Sequence, residues 1–365
     1  MHDKKVLIKS IRLIVMLALL LAASPLSQVA AAAADVTPAL QAGGDRLVEM
    51  QRDDGGWGWP LTYPEGTPLA LNTIGPIGKG LAEVFGVTGD SAHEAALAEV
   101  GALLLTKVNT FSPSDGYLAA ALDEIFGGST YKDHVVAYFY NALAAGTYDR
   151  NGAGTLYDTA GYVNMIRTVR SGSQANMAAW DIGMGLVGAA SCGADTAAWI
   201  AGVKAEIDEL DSAAYYDVMG LAGAVYGLAF VGEDFDPTAG SLADAGSLAD
   251  LADIFASYQI NMGGFAWTSA YVLPDDGDET IQETAYAVLA LNEVNRAAYL
   301  DNLVGAAEYM MSVQLATGGW ENYAGDGENN EITGEALWAI AEAYDFPMEV
   351  WVCESGDCEI GRAHV

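Results

Sequence analysis

Three short segments of this chain share one pattern, and their spacing restricts the fold more than any other feature. Gln51-Arg52-Asp53-Asp54-Gly55-Gly56-Trp57, Gln259-Ile260-Asn261-Met262-Gly263-Gly264-Phe265 and Gln314-Leu315-Ala316-Thr317-Gly318-Gly319-Trp320 all read Gln-x(3)-Gly-Gly-aromatic. The last two start 55 residues apart and the first two 208, which is four periods of about 52. One supersecondary unit therefore recurs, and six units, three of them eroded, fit between residues 35 and 346.

The units are helical hairpins. Apolar residues recur at helical spacing over 36–51 with 68–86, 90–108 with 130–146, 155–171 with 174–191, 195–210 with 214–231, 241–259 with 279–294 and 297–314 with 331–345. Ser91 with Glu94 and Thr280 with Glu283 have the spacing of helix-starting capping boxes, and Gly86, Gly146, Gly193 and Gly232 mark stops. No stretch alternates with period two between hairpin turns, so the domain is expected to be nearly all helical. The second helix of each pair is rich in Gly and Ala, as in Asp181-Ile182-Gly183-Met184-Gly185-Leu186. An interior Gly costs roughly 0.5–1 kcal/mol relative to Ala, and close helix packing on every side is the compensating reason. The first helices keep a charged face and suit an outer ring. The expected fold class is all-α, an (α/α)6 toroid of six helical hairpins.

The Gln-x(3)-Gly-x-Trp copies, followed by Thr284-Ala285-Tyr286-Ala287 and Thr333-Gly334-Glu335-Ala336, resemble the repeats of the terpenoid cyclase and protein prenyltransferase toroids. The resemblance covers roughly residues 36 to 345, with the motif itself in the first unit and the last two. It implies the fold and leaves the activity open, because such a scaffold hosts many functions.

The ends read differently. Lys4, Lys5, Lys9 and Arg12, the apolar run Leu13 to Ala23 and the small residues Val29 to Ala34 form a Sec-type signal peptide over 1–34, which implies a secreted, extracellular or cell-surface protein. The eleven-residue apolar run is shorter than the ~20 residues a membrane span needs. Residues 359–365 resemble a translated sequencing adapter, so the chain is expected to be a fragment. Residues 347–358 then begin a truncated further domain, similar to the opening of secreted β-helices, in which Cys353 and Cys358 can pair.

Charge narrows the partners. The chain has a formal net charge of −34, and without leader and tail 10 basic residues face 47 acidic ones. Nucleic acid and diphosphates are excluded on electrostatic grounds. Among the chemistries the resemblance brings, a cyclase needs Asp-x-Asp-Asp, which is absent. A prenyltransferase needs a zinc set of Asp, Cys and His with several cations. A thioester domain needs Cys-Gly-Glu-Gln, of which Cys192-Gly193-Ala194-Asp195 keeps two positions. None of these motifs is present, so the sequence leans away from catalysis.

Sugar chemistry is left open. The inner helices of a toroid share one direction, so the loops before them form a single mouth. Asp133, Asp181, Asp217, Glu283 and Glu335 are the candidate catalytic carboxylates there, and Trp59, Tyr63, His134, Tyr216, Trp267 and Tyr323 the candidate ligand contacts. Gln51, Trp57, Gln259, Phe265, Gln314 and Trp320 are expected to brace the repeats instead. No cofactor is expected. The candidate metal is calcium, at Asp275, Asp276, Asp278 and Asp326 in two acidic turns. The leading expectation is an exported binding or scaffold module with a carbohydrate or protein ligand at an acidic, aromatic mouth. The alternative is a glycoside hydrolase-like enzyme with paired carboxylates, and a terpenoid cyclase comes third.

Overall fold

Helices fall where the apolar periodicity places them. The computed structural model describes residues 36–58, 74–212, 214–271 and 278–344, and the backbone of a hairpin over 349–354 and 357–362. The signal peptide, Trp59, Tyr63, Asp275 and Asp276 lie outside the described residues. In chain order the helices are α1 (36–50), α2 (Ile74–Thr88), α3 (Ser91–Leu104), α4 (Asp115–Phe126) and α5 (Thr130–Val135), which runs through one π turn into α6 (Asn141–Ala144). Then follow α7 (Thr159–Val169), α8 (Met177–Ser191), α9 (Ala197–Glu209), α10 (Asp217–Phe230), α11 (Leu248–Ala256), α12 (Ile281–Asn295), α13 (Leu300–Ser312) and α14 (Asn330–Tyr344). None of them is long and apolar enough to cross a membrane.

Helices α2, α4, α8, α10, α12 and α14 pack each on the next, and α14 packs back on α2. This closed inner ring, with the remaining helices outside it, is an (α/α)6 toroid. The glycines make the contacts between neighbours. A Cβ on Gly183 of α8 would lie 2.0 Å from the carbonyl oxygen of Gly223 on α10, and one on Gly80 of α2 would lie 2.0 Å from that of Gly334 on α14. Backbones this close exclude any side chain, so bare glycine surfaces let six short helices meet in one ring. Aromatic residues fill the axis. Tyr117 packs on Trp338 at 5.2 Å, Trp180 on Tyr286 at 5.3 Å and Tyr226 on Trp338 at 6.0 Å between ring centroids.

The repeated motif is one device used three times. The Nε2 of Gln51, Gln259 and Gln314 each donates to the carbonyl of its own motif's first glycine, Gly55, Gly263 or Gly318. Each also donates to a carbonyl on the adjacent outer helix, from Ala96, Asn302 and Ala39 respectively. Those glycines have φ of +83°, +96° and +96° and sit against the same neighbouring helices, which only glycine allows. Trp57 and Trp320 are wholly buried and donate Nε1 to the carbonyls of Leu47 and Met310 at 2.8 and 2.7 Å. Phe265 takes the same slot without a donor and stacks on Phe255 at 5.2 Å.

One expectation changes. The second inner helix is α4, not the segment over 130–146. That segment, as α5 and α6, packs outside α4, so the third unit carries extra outer helices before and after β1 (Tyr148–Asp149) and β2 (Leu156–Tyr157). Its aromatic run Val136-Ala137-Tyr138-Phe139-Tyr140 has the apolarity of an inner helix, but Tyr138 is 48 % exposed. Short antiparallel strands are also present: β1 with β2, β3 (Phe265–Ala266) with β4 (Glu279–Thr280), and β5 (Glu349–Glu354) with β6 (Asp357–Arg362). Cys353 and Cys358 are partners in the last register, whose second strand runs into the tail expected to be adapter-derived.

Candidate functional site

Five inner helices each bring a carboxyl to the ring, three of them in the first turn, and all but the half-buried Asp181 are buried. Asp115 opens α4, where Lys107 Nζ at 2.6 Å and the Ser112 amide at 2.8 Å reach one oxygen while Oδ1 has no partner. Asp181 of α8 accepts from Arg170 Nε at 2.6 Å. Asp217 opens α10 and accepts from the Ser269 amide at 3.0 Å and the Ser269 hydroxyl. Glu283 of α12 accepts from Thr280 Oγ1 at 2.5 Å, a side-chain pair that stands in place of the expected capping box, because the Thr280 hydroxyl caps no amide of the helix. Glu335 of α14 accepts from Tyr286 Oη at 2.8 Å and Gln282 Nε2 at 2.9 Å.

Burial pushes the pKa of all five above the ordinary carboxylate range. Glu335 is raised well above it, because the nearby Glu331 charge adds to the desolvation. The mouth is therefore a ring of carboxyls that give up their protons less readily than free ones, each accepting from donors of its own chain.

Four of the five candidate carboxylates, Asp181, Asp217, Glu283 and Glu335, belong to this ring. Asp133 does not: it lies exposed on the outer helix α5 and accepts from Ser129 Oγ at 2.7 Å. His134, next to it, is also outside the inner ring, and its Nε2 lies 2.7 Å from the Lys107 carbonyl. Asp115 escaped the sequence reading because α4 itself did, although Ser112-Pro113-Ser114-Asp115 is a helix-start pattern.

The ligand candidates Tyr216 and Trp267 converge. Trp267 packs edge-on against Tyr216 at 6.2 Å and tilted against Tyr215 at 5.4 Å. Tyr323 is exposed as well, and its carbonyl accepts from the Asp326 amide at 3.0 Å. Tyr215, Trp267 and Tyr323 are 44 %, 40 % and 50 % exposed, so the cluster is an open aromatic platform. Its loop is pinned: Tyr216 has φ +62°, rare for a non-glycine residue, and its amide donates to the Trp267 carbonyl at 2.9 Å.

Two depressions lie on the other side of the mouth. A dimple of about 30 Å³ among Pro76, Ser114, Tyr117, Trp180 and Met184 has room for about one water. It shares Ser112, Pro113 and Asp181 with a cleft of about 330 Å³ that continues to Arg150, Tyr162, Met165 and Arg170. The cations thus cluster more than composition suggested. Arg170 is tied to Asp181, while Arg150 has its Nε buried without an acceptor and Nη1 3.4 Å from Met165 Sδ.

Cys192 is not a nucleophile. Its half-buried thiol lies 3.4 Å from the Gly116 carbonyl, and burial pushes its pKa up to about 12. Among the described residues, the side chains that converge closely enough to share a cation are Asp45, Asp90 and His93. Asp278 and Asp326, the described part of the expected calcium site, are not among them.

This geometry is that of an α/α toroid. No family model and no curated protein matches the sequence. Solved structures match the fold. An unsaturated glucuronyl hydrolase from Streptococcus agalactiae superposes with a TM-score of 0.55 at 11 % identity, covering 86 % of this chain and 91 % of its own. The apo type II terpene cyclase MstE from Scytonema gives 0.50 at 14 % identity, covering 85 % and 98 %. A protein from Actinoplanes gives 0.50 at 17 % identity, covering 85 % and 99 %. At these identities the likeness is one of fold alone.

Proposed function

We propose that this toroid is a carbohydrate-binding module of an exported protein, with its ligand lying on the platform of Tyr215, Tyr216, Trp267 and Tyr323. The exposed aromatic cluster carries the reading. A sugar ring presents an apolar C–H face and a rim of hydroxyls, and aromatic faces beside fixed carboxylates suit both. Binding is favoured over catalysis because Asp217, Glu283 and Glu335 are committed to donors of their own chain. The packed axis supports the same view, since a terpenoid cyclase needs an open apolar chamber there. Glycan-array screening followed by calorimetry on the purified chain tests the proposal. Trp267→Ala should weaken the best glycan at least tenfold without a change in Tm, and a blank array or an unaffected variant would sink it.

Asp181 supports a second reading, a glycoside hydrolase-like enzyme. Its carboxyl is 22 % exposed in a cleft large enough for one sugar residue, and its raised pKa suits a general acid. One fold neighbour, from Streptococcus agalactiae, is an unsaturated glucuronyl hydrolase by name. Release of chromophore from aryl glycosides and unsaturated uronides, abolished by Asp181→Asn, would establish that reading in place of the first.

A further inference from the structure

On the outer wall, Asp45 of α1, Asp90 at the N-cap of α3 and His93 in the first turn of α3 come together. One ligand atom from each lies within 4.8 Å of the other two. We propose that these three side chains form a binding site for a divalent transition cation of the zinc class, one that ties the first outer helix to the second.

The imidazole is the informative member. His93 is completely buried, and its two nitrogens face different partners. Nδ1 lies 3.2 Å from Thr88 Oγ1 and Nε2 lies 3.2 Å from Asp45 Oδ1. With Nδ1–H donating to Thr88 Oγ1, Nε2 is free to bind a cation, which would take the place that Gln41 Nε2 now holds between the two carboxylates, 2.9 Å from Asp45 Oδ1 and 3.0 Å from Asp90 Oδ2. A second partner that fixes the ring and its tautomer is the usual support of a metal-bound histidine.

Asp90 is held in a similar way. Its Oδ1 accepts from the Ala92 amide at 2.8 Å and its Oδ2 from Gln41 Nε2 at 3.0 Å, and these bonds orient the carboxylate. Asp45 is 59 % exposed, which leaves a path for the ion and room for water to complete its shell. Gly44 makes the approach feasible, because a Cβ there would lie 2.7 Å from His93 Nε2.

Size and charge select the ion. Donor atoms about 2.0–2.1 Å from a tetrahedral metal are about 3.3 Å apart, and the His93–Asp45 pair is already at 3.2 Å. A small rotamer change of exposed Asp45 narrows the remaining gap to half-buried Asp90. Two carboxylates with a neutral imidazole carry a charge of −2, which a divalent ion cancels. One nitrogen and two oxygen donors favour zinc, cobalt or nickel over calcium and magnesium, which take oxygen alone.

The position gives the ion a task. Helix α1 is the seam of the ring, since it also meets the last repeat through Gln314 to the Ala39 carbonyl and through Arg46 to Glu328. A cation shared with α3 fastens the other side of that seam.

The test is a thermal-shift and calorimetric titration of the EDTA-dialysed chain with Zn²⁺, Co²⁺, Ca²⁺ and Mg²⁺. Zinc should raise Tm by several degrees with one site per chain, calcium and magnesium at equal concentration should not, and cobalt should develop visible absorption. Asp45→Asn, an exposed change that leaves the helix intact, should weaken zinc at least tenfold, and His93→Gln should abolish the cobalt spectrum. A wild-type chain that does not respond to zinc overturns the proposal, and so does an Asp45→Asn variant that keeps the full response. The result is independent of any glycan binding at the mouth.

Discussion

Gln314, in the last repeat, donates its side-chain amide to the carbonyl of Ala39 on the first helix at 2.9 Å, and this bond joins the two ends of the toroid. The equivalent bonds of Gln51 to Ala96 and Gln259 to Asn302 join helices of consecutive units. A hydrogen bond left with one buried partner costs roughly 1–3 kcal/mol. Gln314→Ala strands two carbonyls, those of Ala39 and Gly318, and should destabilise the domain by about 2 kcal/mol in urea unfolding. Because this bond lies at the seam, amide hydrogen exchange should accelerate in α1 more than in the other outer helices. The Gln51→Ala and Gln259→Ala variants should lose similar stability without that localised change.

The glycines of the inner ring predict opposite effects for one substitution. Gly183→Ala places a methyl 2.0 Å from a carbonyl oxygen of α10, where two backbones would have to separate. A loss of about 3 kcal/mol or more is expected from such overpacking. Gly86, in the last turns of α2, has nothing within 4 Å of the same methyl, so Gly86→Ala should gain about 0.5–1 kcal/mol from helix propensity. Denaturant midpoints of the two variants check both signs.

Cys192 should resist alkylation. Its thiol is half-buried beside the Gly116 carbonyl and its pKa is pushed up to about 12, so almost no thiolate exists at pH 8. Peptide mapping after iodoacetamide treatment should find Cys192 largely unmodified in the folded chain and fully modified in urea. Rapid labelling of the folded protein would mean that the C-terminal end of α8 is open to solvent.

What the sequence disclosed and what it hid follow from the range of the interactions. The braces are local motifs at a fixed period, so Gln51, Gln259 and Gln314 were visible, and the glycine pairs showed as composition. The site depends on contacts between units about 50 residues apart. Tyr216 meets Trp267 only because a loop folds back onto the start of α10, and His93 meets Asp45 across 48 positions. Helix α4 was missed because twelve residues with three acids read as a loop, whereas the aromatic segment of α5 and α6 carried the stronger apolar signal. Pattern alone does not tell an inner helix from an outer one when an outer helix is partly covered by neighbours.

The raised pKa values around the ring make stability depend on pH with a definite sign. Asp115, Asp181, Asp217, Glu283 and Glu335 all have folded-state pKa values above the ordinary range. In that window the folded chain binds more protons than the unfolded one, so stability falls as pH rises from the ordinary carboxylate range through the folded values. Exposed Asp90 and Asp234, whose pKa values are depressed, act in the opposite direction at lower pH. Tm should therefore be higher near pH 5 than near pH 8, and added salt should narrow the difference by screening the acid excess. Glu335 is the sharpest test, because Glu331 opposes its ionisation while Tyr286 and Gln282 donate to it. Glu335→Gln keeps an oxygen for Tyr286 and removes the charge. Calorimetry should show a gain of about 1 kcal/mol, or roughly 2–4 °C, at pH 8 and almost none at pH 5. Equal destabilisation at both pH values would mean that Glu335 acts through its hydrogen bonds and that its charge has no part in the pH dependence.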